Sequence, residues 1–133
     1  MAMRPTDRWR AGIAEEEREV ASGKLDPECA VMARLFPESL LSCTDEALSA
    51  FEAEVGAFSA PSDDQVFGAV EHVIVVLNTV NDTHDGAGYE TAEREALCDY
   101  VDGTLEEAGI DVEALAARHG LSRYAITDRW RRW

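Results

Sequence analysis

Lysine is nearly missing from this chain: Lys24 stands alone, and arginine supplies the other 11 of the 12 basic residues. Against 27 acidic residues they leave a formal net charge of −15. Such a field repels nucleic acid and anionic membrane, and it favours solubility and cationic partners. The arginine bias, together with abundant alanine, is what GC-rich codons produce, which points to a bacterial genome of that kind. Heat adaptation would bring more lysine. Cysteine is also scarce. Cys29, Cys43 and Cys98 are odd in number, with no Cys-x-x-Cys pair and no zinc-like spacing, so neither a paired disulfide framework nor a structural zinc site is expected. Cysteine commonly packs as a small hydrophobe, and all three are read as structural. Long apolar runs are lacking too: the longest, Val73 to Leu77, is far short of the roughly 20 residues that span a bilayer. No leader is expected, because Met1 to Asp7 runs into charged residues without an apolar stretch. The expectation is a reduced cytoplasmic protein with no membrane association.

Catalytic patterns are missing as well. There is no G-x-S-x-G, S-x-x-K or H-E-x-x-H and no phosphate-binding glycine loop. No catalytic residue is assigned and no cofactor is expected.

What is present is a long central segment. Ser62 to Asp82 carries Val66, Phe67, Ala69, Val70, Val73, Ile74, Val75, Val76, Leu77 and Val80. A segment this apolar is expected to be covered on most sides, with the rest of the chain built around it. Ser62-Asp63-Asp64-Gln65 reads as a capping box opening a helix of about twenty residues. The β-branched richness of His72 to Val80 also fits a buried strand; the capping box and the upstream periodicity favour helix.

On either side the pattern is helical. Thr6 is placed as the cap of a helix through about Ser22, with Trp9, Ile13 and Val20 inward and Gly23 as its stop. Asp26 and Pro27 suit the start of a second helix, closed by Leu35, Phe36 and Pro37. Thr44 is placed as the next cap, with Cys43 and Leu48 as a hydrophobic staple and Ala47, Leu48, Phe51, Val55 and Phe58 at helical spacing. Thr91 is expected to open a helix with Ala92, Ala96, Leu97, Tyr100, Val101, Leu105 and Ala108 as its core stripe, ended by Gly109. Asp111 caps a short helix to His119, and Ser122 caps a last one running to the C-terminus. The chain is long enough for a core of its own without staples. The fold expected is all-α: one domain over 1–133, a compact bundle of six or seven helices around the central one at about 62–82.

Three segments are candidates for function. The turn Asn81 to Gly88 is dense in potential ligands. With Gly86 as the EF-hand glycine, the twelfth position falls on Ala92 and Glu93 comes one residue late, so the bidentate ligand of that loop is missing. A looser metal or catalytic site from Asp82, His84, Asp85, Glu90 and Glu93 remains, against the plain alternative of a turn built from Asn, Asp and Gly. His72 and His84 are twelve residues apart, about 18 Å of helix axis, too far to share one metal. His72, beside Glu71, is read as a partly buried, satisfied histidine.

The second candidate is the segment 111–133. Leu115-Ala116-Ala117-Arg118-His119-Gly120-Leu121-Ser122-Arg123-Tyr124-Ala125-Ile126 resembles a bacterial DNA-binding helix-turn-helix. An alanine stands four residues before the turn glycine, an apolar residue after it, and a serine opens the second helix. The resemblance implies a recognition helix led by Ser122, Arg123 and Tyr124, with Arg118 nearby. Five arginines against Asp111, Glu113 and Asp128 leave this segment at +2 and the remainder at −17. That acidic remainder disfavours contact with phosphates. The third candidate is the tail Arg129-Trp130-Arg131-Arg132-Trp133, rich in the residue types of binding hot spots. It reads either as folded back on the chain or as an exposed docking segment.

The leading functional expectation is a small acidic, non-enzymatic module that binds another protein, a basic one by charge, or associates with itself. DNA binding through the C-terminal pair and metal or enzyme use of the Asp82/His84/Asp85 turn are the alternatives.

Overall fold

A computed structural model describes residues 4–30, 36–84, 88–123 and 125–131. Every regular element among them is helical: α1 (Pro5–Ala21), a 3₁₀ turn (Pro27–Cys29), α2 (Glu38–Gly56), α3 (Asp63–Asp82), α4 (Thr91–Glu107), α5 (Val112–Arg118) and α6 (Ala125–Asp128). The pairing of α2 with α3 is the most extensive. Further pairings join α1 to α2 and α4, α2 to α4, α4 to α5, and α3 to α6. One apolar core results, from Trp9 through Phe51, Ile74 and Leu97 to Ile126. None of these helices is long and apolar enough to cross a membrane.

The start signals divide by residue type. Ser62 and Gln65 form the expected capping box: Gln65 N–H donates to Ser62 Oγ at 3.2 Å, and Ser62 N–H donates to Gln65 Oε1 at 2.8 Å. The segment is one helix through Asp82, not a strand. Asp111 accepts from Ala114 N–H as expected. The three threonines placed as caps are not caps. α1 starts at Pro5, whose fixed φ suits a first helical position, so Thr6 lies inside the helix, buried, with its hydroxyl on Asp45. α2 starts six residues before Thr44, behind Pro37. The hydroxyl of buried Thr44 gives its proton to Leu40 O at 2.7 Å and accepts from Tyr89 Oη at 2.6 Å, so Cys43 staples nothing. α4 is capped by Glu90 rather than Thr91, and Glu93 accepts from Glu90 N–H.

Three of the stops use glycine. Gly23, Gly109 and Gly120 all sit at positive φ (79°, 88° and 69°), where a residue with Cβ is strained. The helix expected from Asp26 is only a 3₁₀ turn: Asp26 accepts from Glu28 N–H, but the turn buries no residue and Ala30 is already extended. Without a packed face a helix has little to sustain it. Residues 31–35, the remainder of that expectation, lie outside the described residues. In α4 the core stripe is narrower than expected, since Ala92 and Ala108 are exposed. α6 is a single turn and does not run to the C-terminus.

α3 itself departs from expectation. Its inner face (Val66, Phe67, Val70, Val73, Ile74, Leu77) is buried, but Val75 and Val76 are each 46% exposed beside Glu71, His72 and Thr79. The expected cover on most sides is incomplete, and one face is left to solvent.

Candidate functional site

The open face of α3 adjoins a groove of about 280 Å³ between α2 and α3. Its floor is Ala47, Phe51, Val73 and Val80, with Ala50, Cys43 and Val76 along its walls. The space follows from residue size: α2 presents alanines at 47 and 50 where larger side chains would meet α3. Glu46 and Glu54 stand along the α2 edge and His72 along the α3 edge. The His72 ring bridges to Glu54 through Nδ1 at 3.1 Å. It is therefore exposed and paired across the groove, not half-buried beside Glu71 as expected. A second depression, lined by Glu71, His72, Val75 and Val76, continues the apolar strip along α3. The result is a shallow apolar channel with carboxylates on both sides.

The polar turn after α3 is held by its own side chains. Asn81 Oδ1 accepts from Tyr89 N–H at 2.7 Å, and a Cβ on Gly88 would come within 2.3 Å of the same oxygen. The His84 ring lies between Val80 O (Nδ1, 2.7 Å) and Ser39 Oγ (Nε2, 3.0 Å). A contact from Nδ1 to a carbonyl oxygen is a hydrogen bond when Nδ1 carries the proton. Asp82 is exposed, Glu93 serves the start of α4, and Asp85 lies outside the described residues. No three His, Cys, Asp or Glu side chains among the described residues come together in a metal-holding arrangement.

In the C-terminal segment the described arginines are engaged within the chain. Arg118 holds Asp63 through Nε and Nη2, at 3.1 and 2.8 Å. His119 Nε2 lies 2.9 Å from the same carboxylate, with its ring edge-on to Phe67. Arg118 first, and His119 with it, hold the Asp63 carboxyl down at about 2. Arg123 is paired with Glu106. Ser122 is exposed, Tyr124 lies outside the described residues, and the element after them is the single turn α6. Comparison with protein-family models, curated proteins and solved structures finds no match.

The described part of the tail is folded back. Trp130 packs on the core, and its carbonyl accepts from Asn78 Nδ2 at 2.7 Å. The Arg129 guanidinium lies 5.7 Å from the Phe67 ring centroid and 5.1 Å from that of Trp130. Arg131 pairs with Asp128 at 3.0 Å and donates to Cys98 Sγ at 3.3 Å. Arg132 and Trp133 lie outside the described residues. All three cysteines are unbonded. Cys43 and Cys98 are half-buried, whereas Cys29 is exposed, contrary to its reading as a packed residue. Burial pushes the Cys98 thiol up.

Sequence reasoning treated Val75 and Val76 as core. The signal that separates them is the company they keep: Glu71, His72 and Thr79 fall on the same side of the helix at spacings of three and four. Polar residues interleaved with apolar ones at that spacing mark a face left to water.

Proposed function

We propose that this chain is a non-enzymatic interaction module whose α2–α3 channel receives a basic amphipathic helix from another protein. The observation that carries the reading is the pair Val75 and Val76, exposed side by side next to an apolar groove and flanked by Glu46, Glu54 and Glu71. An amphipathic helix in a groove is a recurrent recognition mode, with apolar anchors at helical spacing. Covering what remains exposed of each valine contributes roughly 1 kcal/mol. The flanking carboxylates, backed by a net charge of −15, select lysine and arginine on the flanks of the incoming helix and speed its approach at low salt. The same charge opposes a second copy of this chain on that face, which ranks a basic partner above self-association. The unbonded cysteines, one of them exposed, support a reducing, cytoplasmic setting.

A synthetic 18-residue leucine/lysine amphipathic helix is the probe, with a peptide of the same composition and scrambled periodicity as control. Fluorescence anisotropy should show the amphipathic peptide binding more tightly than the scrambled one. Introducing Val75→Glu and Val76→Glu together should weaken it about tenfold or more, an effect of at least ~1.4 kcal/mol. Equal binding of both peptides, or no loss in the double variant, would overturn the reading. So would a wild-type dimer that the double variant dissolves, since the face would then belong to self-association.

A further inference from the structure

A second cavity shares no residue with the α2–α3 channel. It occupies about 410 Å³ between α4 and α6, lined by Glu95, Cys98, Asp99, Asp102, Thr127, Asp128 and Arg131. The four from α4 fall at spacings of three and four, so one helix face supplies three carboxylates to the same space. Asp102 is the innermost. It is 5% exposed, and among the described residues its buried Oδ1 has no hydrogen-bond donor.

A buried carboxylate oxygen with no donor is costly unless something supplies one. Of the described cations nearby, Arg131 pairs with Asp128 and the Cys98 sulfur, and Arg123 pairs with Glu106. Glu95, Asp99, Asp102 and Asp128 against Arg131 leave the lining at −3. What such a lining lacks is a compact positive donor. A metal ion is disfavoured, because no three ligating side chains among the described residues converge. An ammonium group supplies three N–H donors from a single point charge. Its alkyl stem would lie along Cys98 and the methyl of Thr127.

We propose that this cavity is a binding site for a primary alkylammonium group, with Asp102 as its buried acceptor. Two sources carry that chemistry: a free small amine, or a lysine side chain of a protein. The groups facing Asp102 are Asp99 and Glu106 on α4, Asp128 on α6 and Arg123 between α5 and α6. Burial first, then the three carboxylates, push the Asp102 carboxyl up to about 6 against the pull of Arg123. A bound cation acts in the opposite direction, so binding near pH 6 should release a proton.

The test titrates the intact chain with n-butylamine, 1,4-diaminobutane and an acetyl-Gly-Lys-Gly amide peptide, with n-butanol as the neutral control. The side-chain carboxyl carbon of Asp102 is followed by NMR. Saturating amine should lower the Asp102 titration midpoint by about one unit or more, a tenfold change in proton affinity, and n-butanol should not move it. Asp102→Asn should weaken amine binding about tenfold or more, and Asp99→Asn, which leaves the buried acceptor in place, less. Tighter binding of diaminobutane assigns the site to free amines; tighter binding of the peptide assigns it to lysine. An Asp102 midpoint unmoved by any amine overturns the proposal in the wild-type chain alone, whatever the variant's stability. Equal binding to Asp102→Asn overturns it too, as loose attraction to an acidic surface.

Discussion

Two carboxylate sites flank α4 on opposite faces. Tyr100 points to one and Asp102, two residues on, lines the other. On the first side every acid is answered. Arg4 holds Glu52 through Nε and Nη2, both at 2.9 Å, and Tyr100 Oη donates to Glu52 at 3.0 Å. Asp45 accepts from Thr6 and from Arg10 Nη1 at 2.6 Å. On the second side, Asp102 Oδ1 has no donor among the described residues. The first cluster ties α1 to α2 and α4 and is structural in purpose. The second is an acceptor held in readiness. Acidic content alone does not distinguish the two; the donors do, and those of the first cluster come from 35 to 48 residues away in sequence.

The sharpest way to test that contrast is pH. A carboxyl raised from its ordinary 3.8 to about 6 favours the folded state only while it is protonated. Its contribution is fully present below about 3.8 and is lost as pH rises through about 6. The shift of about two units corresponds to roughly 3 kcal/mol. Urea unfolding at pH 4 and pH 7.5 should show wild type losing about that much relative to Asp102→Asn. The difference between the chains removes the opposing trend of the other carboxylates. Parallel pH profiles would mean that Asp102 is answered after all.

The answered cluster should respond to removal of a partner instead. Arg4→Met leaves Glu52 with Tyr100 alone. Both ionic side chains are less than one-third exposed, at 28% and 18%. The expected loss therefore falls between that of a surface pair and a buried one, about 2 kcal/mol. Combining Arg4→Met with Glu52→Gln should cost less than the sum of the single changes, because they are one interaction. A strictly additive cycle would show the pair to be incidental.

How much of this was legible depends on the reach of each signal. Ser62 with Gln65, Asp111, and the three positive-φ glycines act within four residues and were readable. Thr6, Thr44 and Thr91 were not. A threonine near an apolar run fits a cap as well as a helix interior, and the decision rests on partners such as Tyr89, 45 residues from Thr44. Of the candidate sites, the ligand-rich turn and the helix-turn-helix-like segment were conspicuous in composition, yet their described side chains largely serve the chain itself. The open valines and the donorless Asp102 were not singled out. The first was hidden by the assumption that apolar means covered. The second needed the far end of the chain, Thr127 to Arg131, brought against α4.

The smallest effect belongs to the pair at the start of α3. Asp63 is well answered, by Arg118 and His119, but at the surface, where water and salt screen what the geometry offers. Its carboxyl, lowered to about 2, stabilises the fold above its ordinary 3.8, and the contribution fades as pH falls through about 2. The capping box is made by Ser62 and Gln65 without the Asp63 side chain, so α3 should keep its start when Asp63 is changed. Thermal melts of Asp63→Asn at pH 7 should shift down by less than those of Arg4→Met, and the gap should narrow further in high salt. A shift as large as that of Arg4→Met would mean that the number of partners, rather than their burial, sets what an answered carboxylate is worth in this fold.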